Sequence, residues 1–227
     1  MNIFDILGPV MVGPSSSHTA GAVRIGFAAK EILGEPVKQA EILLHGSFAD
    51  TGIGHGTDKA LLGGILGMAT YDERISHSFE EAEKQGLKYS FGTVNLNFAP
   101  PNTALVKLTG KSGKTIQVQA SSVGGGRISV DIVNGVEMHF SGEYPTLIVE
   151  STDQPGFAAK VASFLAFNYV NIATINLCRM KRGGNAIMVM EIDKFVPEHV
   201  IAGLKSFTDI REVTYVDIIS IGNGTAS

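Results

Sequence analysis

Between Thr93 and Phe140 the hydrophobic pattern takes a period of two, and this stretch constrains the fold more than any other. Apolar residues alternate at Val94, Leu96 and Phe98; at Ala104, Val106 and Leu108; at Ile116, Val118 and Ala120; at Ile128, Val130 and Ile132; and at Val136, Met138 and Phe140. Successive side chains of a strand point to opposite faces, so each set marks one covered face of a strand. Pro100-Pro101, Gly110 to Gly113, Gly124 to Gly126 and Asn134-Gly135 separate the sets, and Asn-Gly is a strong two-residue hairpin signal. An antiparallel meander is expected, with one face in need of helices.

The helices precede it. Ala20 to Leu33 is alanine-rich, with Val23, Phe27, Ile32 and Leu33 apolar and Arg24 and Glu31 nearly on one stripe, which predicts a mostly buried helix ended by Gly34-Glu35-Pro36. Gln39 to Leu44 reads as a strand. A second helix runs through Met68, with Thr57 or Asp58 as its cap. Its glycines Gly63, Gly64 and Gly67 cost about 1 kcal/mol each in a helix interior, which calls for close backbone packing. Ser78 to Gln85 predicts a short surface helix, with Ser78 and Glu81 in capping-box spacing and Gly86 as its stop.

After a linker at Ser141 to Pro145 comes a second module: strand Thr146 to Glu150, helix Pro155 to Phe167, strands Asn171 to Met180 and Ala186 to Glu191, a helix opened by Pro197, and strand Val213 to Ile219. The order βαββαβ is ferredoxin-like. The fold class is therefore α+β: N-terminal helices on a largely antiparallel sheet, then a ferredoxin-like module.

Two stretches carry the chemistry. GPSSSHTAGAVRIG, Gly13 to Gly26, places Ser15, Ser16, Ser17, His18 and Thr19 at a helix start, where hydroxyls, free N–H groups and the dipole favour a carboxylate or phosphate. A single capping serine would explain one hydroxyl and leave the others and His18 without a role. The stretch from His45 to Gly67 holds His55 between Gly54 and Gly56, with no neighbouring side chain to shield the imidazole. His77, His139 and His199 read as structural or merely exposed. A zinc site from His18, His45 and His55 has no recognised ligand spacing behind it, and no metal site is assigned. Gly124-Gly125-Gly126 follows a strand without opening a helix, so it reads as a turn and not as a phosphate loop. Asn102, on the stiff turn after two prolines, is placed to face the serine loop.

The chain has 227 residues, of which 44% are hydrophobic and 18% charged, with a formal net charge of −4. That suits a globular protein with a sizeable core and gives no basic footprint for nucleic acid or membrane. The N-terminus shows no charged region followed by a sustained apolar core, so a cytoplasmic protein is expected. Cys178 is the only cysteine, so an iron–sulfur cluster would have to be held mostly by a partner.

These residues resemble the β subunit of iron–sulfur-dependent bacterial L-serine dehydratase over nearly the whole length. The FDILGP lead-in from Phe4 to Pro9, GPSSSHTAGAVRIG, GSFADT and GHGTDKALLGG carry the resemblance, and the SSSHT segment is quite specific. Asp153, Pro155 and Gly156 make the C-terminal half similar to an ACT domain. The resemblance implies a β-chain domain over 1–142, also similar to the allosteric substrate-binding domain of some phosphoglycerate dehydrogenases, an ACT domain over 146–222 and a tail over 223–227. It implies deamination of L-serine to pyruvate and ammonia, with a [4Fe-4S] cluster ligated mainly by a separate α subunit.

On that reading His55 is the base that takes the α-proton, oriented by Thr57 or Asp58, and His18 binds substrate or shuttles the proton. Ser15, Ser16, Ser17 and Thr19 hold the carboxylate, with Thr57, Asp58 and Asn102 also lining the substrate site. The ACT-like module is expected to form a homodimer edge to edge and to bind an effector, most simply serine, through Asp153, Gly156, Asn171 and Ile172. A regulatory amino-acid-binding protein is the alternative.

Overall fold

The computed structural model describes residues 11–13, 15–179 and 181–221. The lead-in from Phe4 to Pro9, Pro14, Met180, residue 222 and the tail 223–227 lie outside them. A π-helical turn, Ser16–Gly21, runs directly into helix α1 (Ala22–Leu33). Strand β1 (Val37–His45) follows, then helices α2 (Ser47–Thr51), α3 (Thr57–Ile65) and α4 (Ser78–Lys84). Strands β2 (Lys88–Thr93), β3 (Thr103–Gly110), β4 (Thr115–Gly124), β5 (Arg127–Val133) and β6 (Val136–Phe140) complete the first half. The second half contains β7 (Thr146–Thr152), α5 (Phe157–Phe167), β8 (Ile172–Arg179), β9 (Asn185–Ile192), α6 (Glu198–Lys205) and β10 (Ile210–Val216).

The first sheet has six strands in the order β2-β1-β3-β4-β5-β6. From β3 to β6 it is the expected antiparallel meander, and Ala104, Val106, Leu108, Ile116, Val118, Ala120, Ile128 and Val130 are all buried. The first predicted strand is displaced. Val94 to Phe98 is irregular, Phe98 is wholly exposed with φ 63°, and the strand lies just upstream at β2. β1 pairs antiparallel with β3 on one side and parallel with β2 on the other. The reason is the connection: a parallel pair needs a crossover, and α2, α3 and α4 supply it between β1 and β2. A register shift on each side of β5 changes its phase, so Val133, not Ile132, is buried.

Helices α1 and α3 pack face to face through glycine. A Cβ built on Gly64 would stand 2.0 Å from the Val23 carbonyl oxygen, and one on Gly26 would stand 2.1 Å from that of Leu61. This is the close approach that the glycines of α3 demanded. The helix caps differ from expectation. Gly56, at φ 70°, precedes α3 and neither Thr57 nor Asp58 caps it, while α4 begins after His77 with the Ser78 hydroxyl buried and, among the described residues, unpaired. The capping box does not form, because Ser78 is turned inward.

The second sheet has the order β10-β7-β9-β8 with every pair antiparallel, the ferredoxin-like arrangement. One face, with Leu147, Val149, Met188 and Met190, packs under Phe157, Val161 and Leu165 of α5 and Val200 and Leu204 of α6. From the opposite face Ile148, Ile187 and Val189 join the core of the first half. Glu191 fastens the intervening segment: its carboxylate accepts from Ser141 N (2.7 Å), Ser141 Oγ (2.5 Å) and Thr174 Oγ1 (2.8 Å).

Candidate active site

The two stretches singled out by their chemistry meet at one end of the first sheet. Ser15 is the N-cap of the π-helical turn, and its Oγ accepts from the His18 backbone N at 3.2 Å. β1 ends at His45, Gly46 turns the chain with φ 54°, and α2 lays Ser47 and Thr51 against the His18 ring. Gly46 is required there, since an added Cβ would meet the Pro101 carbonyl oxygen at 2.7 Å. His45 Nδ1 lies 3.3 Å from both Leu96 N and Val94 O, so this imidazole holds the loop after β2.

Donor accounting sets both tautomers. His55 Nδ1 lies 2.9 Å from the Thr51 carbonyl oxygen, which only accepts, so Nδ1 carries the proton and Nε2 keeps its lone pair. No hydrogen bond engages that Nε2 among the described residues, and His55 is exposed. The Thr51 hydroxyl donates to Ser47 O at 2.9 Å, which leaves its oxygen to accept from His18 Nε2 at 3.3 Å. His18 Nε2 is then a donor and Nδ1 an acceptor facing Ser15 Oγ at 3.4 Å. The two rings stand 5.0 Å apart, and the buried Phe48 ring meets His18 edge-on at 5.4 Å. Burial is the main cause that holds His18 below its ordinary value, the positive charge of a protonated His55 adds to it, and a hydrogen bond with Ser47 opposes both.

The expected substrate residues are placed unevenly. Ser15, Ser16 and Ser17 are half-buried around the turn. Thr19 is 3% exposed and Thr57 0%, and neither hydroxyl has a hydrogen-bond partner among the described residues. Thr19 lies under the Gly13 backbone and Thr57 against Gly52. Asp58 Oδ1 accepts from Lys59 N at 2.8 Å. Asn102 O accepts from Ser122 N at 2.9 Å while Asn102 Oδ1 is buried and unpaired among the described residues. Ser47, Thr51 and Phe48 were missed by sequence reasoning, although Ser47 and Thr51 are four apart and so share one helix face.

The four residues expected to take an effector do not converge within one chain. Asp153 Oδ2 accepts from Arg179 Nη1 (3.0 Å) and Gly183 N (2.9 Å), and the Gly183 amide foremost, with Arg179, holds this carboxyl below the usual range. Gly156 lies nearby at φ 87°. Asn171 Nδ2 donates to Asp193 at 2.5 Å, and Ile172 pairs with Ile192 at the other end of the sheet.

This chain does not have the donors for an iron–sulfur cluster. Its one cysteine, Cys178, lies on β8 in the second half, and no group of three His, Cys, Asp or Glu side chains among the described residues could hold a metal ion. Among the described residues no helix is long and apolar enough to cross a membrane.

The fold, an α+β domain followed by a ferredoxin-like module, belongs to a chain with recognisable relatives. Residues 2–100 match the family described as serine dehydratase beta chain. The chain is 38% identical to the probable L-serine dehydratase beta chain of Bacillus subtilis (strain 168), covering 95% of this chain and 97% of that one. It is 42% identical to the L-serine dehydratase beta chain of Peptoniphilus asaccharolyticus, covering 92% and 96% respectively. The D-3-phosphoglycerate dehydrogenase of Bacillus subtilis is 27% identical over 87% of this chain and 37% of that protein. This chain belongs to the serine dehydratase beta-chain family.

Proposed function

We propose that this chain completes the active site of an L-serine ammonia-lyase together with a [4Fe-4S]-bearing α subunit, converting L-serine to pyruvate and ammonia. The observation that carries the reading is His55: an exposed imidazole whose proton is fixed on Nδ1 and whose Nε2 lone pair is unengaged among the described residues, 5.0 Å from a second imidazole. An imidazole with a free Nε2 lone pair is suited to taking the α-proton of serine, a step worth about 10²–10⁴ in rate. The His18 Nε2–H, steadied by Ser47 and Thr51, donates toward substrate or carries the proton onward.

Ser15, Ser16 and Ser17 cradle the substrate carboxylate with the backbone N–H groups of the turn. Buried Thr19 and Thr57 shape the floor beneath it, and Asp58 and Asn102 line its edges. A cluster held by the α subunit would supply a Lewis acid for the departing hydroxyl.

Residues 1–142 form the substrate domain in this reading, and 146–222 an ACT-like regulatory domain that pairs with a second copy. Its β8 is a sheet edge on which Ile175 and Leu177 are 52% and 49% exposed. Across such a pairing, Asp153 and Gly156 of one copy face Asn171 and Ile172 of the other and bind an effector. The likeness to a phosphoglycerate dehydrogenase favours a second reading, an amino-acid-binding regulatory protein with no turnover.

An anaerobic assay of pyruvate formation separates the two. Activity is expected only when this chain is mixed with the cluster-reconstituted α subunit, and His55→Asn is expected to lower kcat at least 10²-fold while the chain stays folded. An inactive mixture with serine still bound to this chain selects the regulatory reading.

A further inference from the structure

The two ends of the first sheet differ in charge. At the end away from the imidazole pair, the connections 34–38, 84–88 and 110–114 carry Glu35, Lys38, Lys84, Lys88, Lys111 and Lys114. At the end that holds the pair, the π-helical turn Ser16–Gly21, the segment 46–56 after β1, the segment 94–102 between β2 and β3 and the turn 124–126 contain one acid, Asp50, and neither lysine nor arginine. Residues 89–106 carry no Asp, Glu, Lys, Arg or His at all.

That charge-poor end is also apolar and open. Phe98 is wholly exposed, Val123 is 50% exposed, and Pro100 and Pro101 are exposed beside Phe98. A single exposed apolar residue is ordinary on a protein surface. Phe98 is different, because its φ of 63° lies in the left-handed region that disfavours a bulky side chain, and a ring in solvent makes no packing to offset the strain. The loop that presents it is nonetheless fixed. His45 Nδ1 lies 3.3 Å from both Leu96 N and Val94 O, and Phe48 N of α2 donates to Pro101 O at 3.4 Å. Ser47 and Thr51 of that same helix meet the His18 ring, so Phe98 and the imidazoles share one mount.

We infer that Phe98, on the segment 94–101, is the anchor by which the cluster-bearing α subunit docks over this end of the sheet. The identity of the partner rests on the lyase reading; the docking surface rests on the geometry. The centres of specific interfaces are depleted of charge and anchored by aromatic side chains, which is what this end presents. A protein seated on it stands beside the exposed His55 and forms the opposite wall of the imidazole site. A second copy of this chain is a poorer occupant, since it brings no donors for a cluster and the edge strand β8 that suits self-pairing belongs to the other half. The matching surface on the α subunit is an apolar pocket for the Phe98 ring, rimmed by neutral polar groups that meet exposed Asn95 and Asn97.

The test reads binding and turnover separately, using the full chain and the cluster-reconstituted α subunit. Because few charges meet, affinity in sedimentation velocity is expected to change no more than about twofold between about 0.05 M and 0.5 M salt. Phe98→Asp is expected to weaken binding about tenfold or more, while Lys111→Glu at the opposite end of the sheet leaves it unchanged. Phe98→Gly is expected to weaken binding to a similar degree and yet to unfold at a denaturant midpoint no lower than that of the parent, because glycine takes this backbone conformation without strain. No binding by the parent chain, equal affinity of the parent and Phe98→Gly, a lower unfolding midpoint for Phe98→Gly, or a loss of affinity of about tenfold across that salt range would each overturn the inference. Binding that depends on Phe98 in a mixture that makes no pyruvate leaves the docking surface standing and removes the lyase reading. Turnover with equal affinities does the reverse.

Discussion

His18 and His55 divide their work through what each can still donate or accept. The Thr51 backbone oxygen takes the His55 proton and the Thr51 side-chain oxygen takes that of His18, so one short helix sets both tautomers. Burial and the neighbouring His55 keep the folded-state value of His18 below the ordinary 6.5. Between the folded and unfolded values, the unfolded chain binds the proton and the folded chain does not. The contribution of His18 to stability is thus present above about pH 6.5 and is lost as pH falls through that window. NMR titration of the imidazoles in the isolated chain tests the coupling. His55→Asn is expected to move the His18 midpoint upward, because the neighbouring positive charge is gone, yet to leave it below the ordinary value, because burial is the larger cause. An unchanged midpoint would show that the two rings do not sense each other. Both imidazoles were legible in the sequence from their settings, but the partners Ser47 and Thr51 were not, since nothing in GSFADT reveals which ring that turn will meet.

At the scale of elements, the joint between α1 and α3 is what holds the serine turn and the His55 turn at one end of the sheet. Gly26 and Gly64 let each helix backbone touch the other, with the built Cβ distances far below any ordinary contact. Gly64→Ala is therefore expected to cost at least about 2 kcal/mol, as overpacked cores do, read as a lower denaturant midpoint with unchanged slope. Gly54→Ala, which meets nothing within 4 Å, is expected to stay within about 0.5 kcal/mol of the parent. The demand for close packing was visible in the sequence because glycine is costly inside a helix. The edge of the sheet was not. Val94, Leu96 and Phe98 alternate as a strand would, but the loop is pinned at Leu96 by His45, and Lys88 to Thr93 occupies the edge. Alternation reports which side chains could share a face, and hydrogen-bond partners decide which segment is a strand.

Across the whole molecule, two sheets share part of one core while β8 faces outward. An unpaired edge with exposed apolar residues invites pairing with another chain. Leu177→Asp is expected to convert a homodimer to a monomer in sedimentation velocity at micromolar concentration. The thermal midpoint of the monomer should move little, because Leu177 is half exposed. A chain that sediments as a monomer before substitution would remove the pairing from the proposal. The βαββαβ order was legible from Thr146 onward because each element there is short and locally patterned. The packing of Ile148, Ile187 and Val189 against the first half was not, because those residues look like any buried strand positions.

The sequence by itself determined the elements other than α2 and the β2 edge, the meander from β3 to β6, the ferredoxin-like order and the two histidines worth testing. Each of these is written in spacing, in turn residues or in the cost of glycine. Tertiary structure alone decided that β1 lies between β2 and β3, that His18 and His55 come within 5.0 Å, and that the Glu150 carboxyl lines a cavity with no hydrogen bond among the described residues. Those outcomes depend on contacts between residues far apart in the chain, and a local pattern carries no information about which distant group arrives.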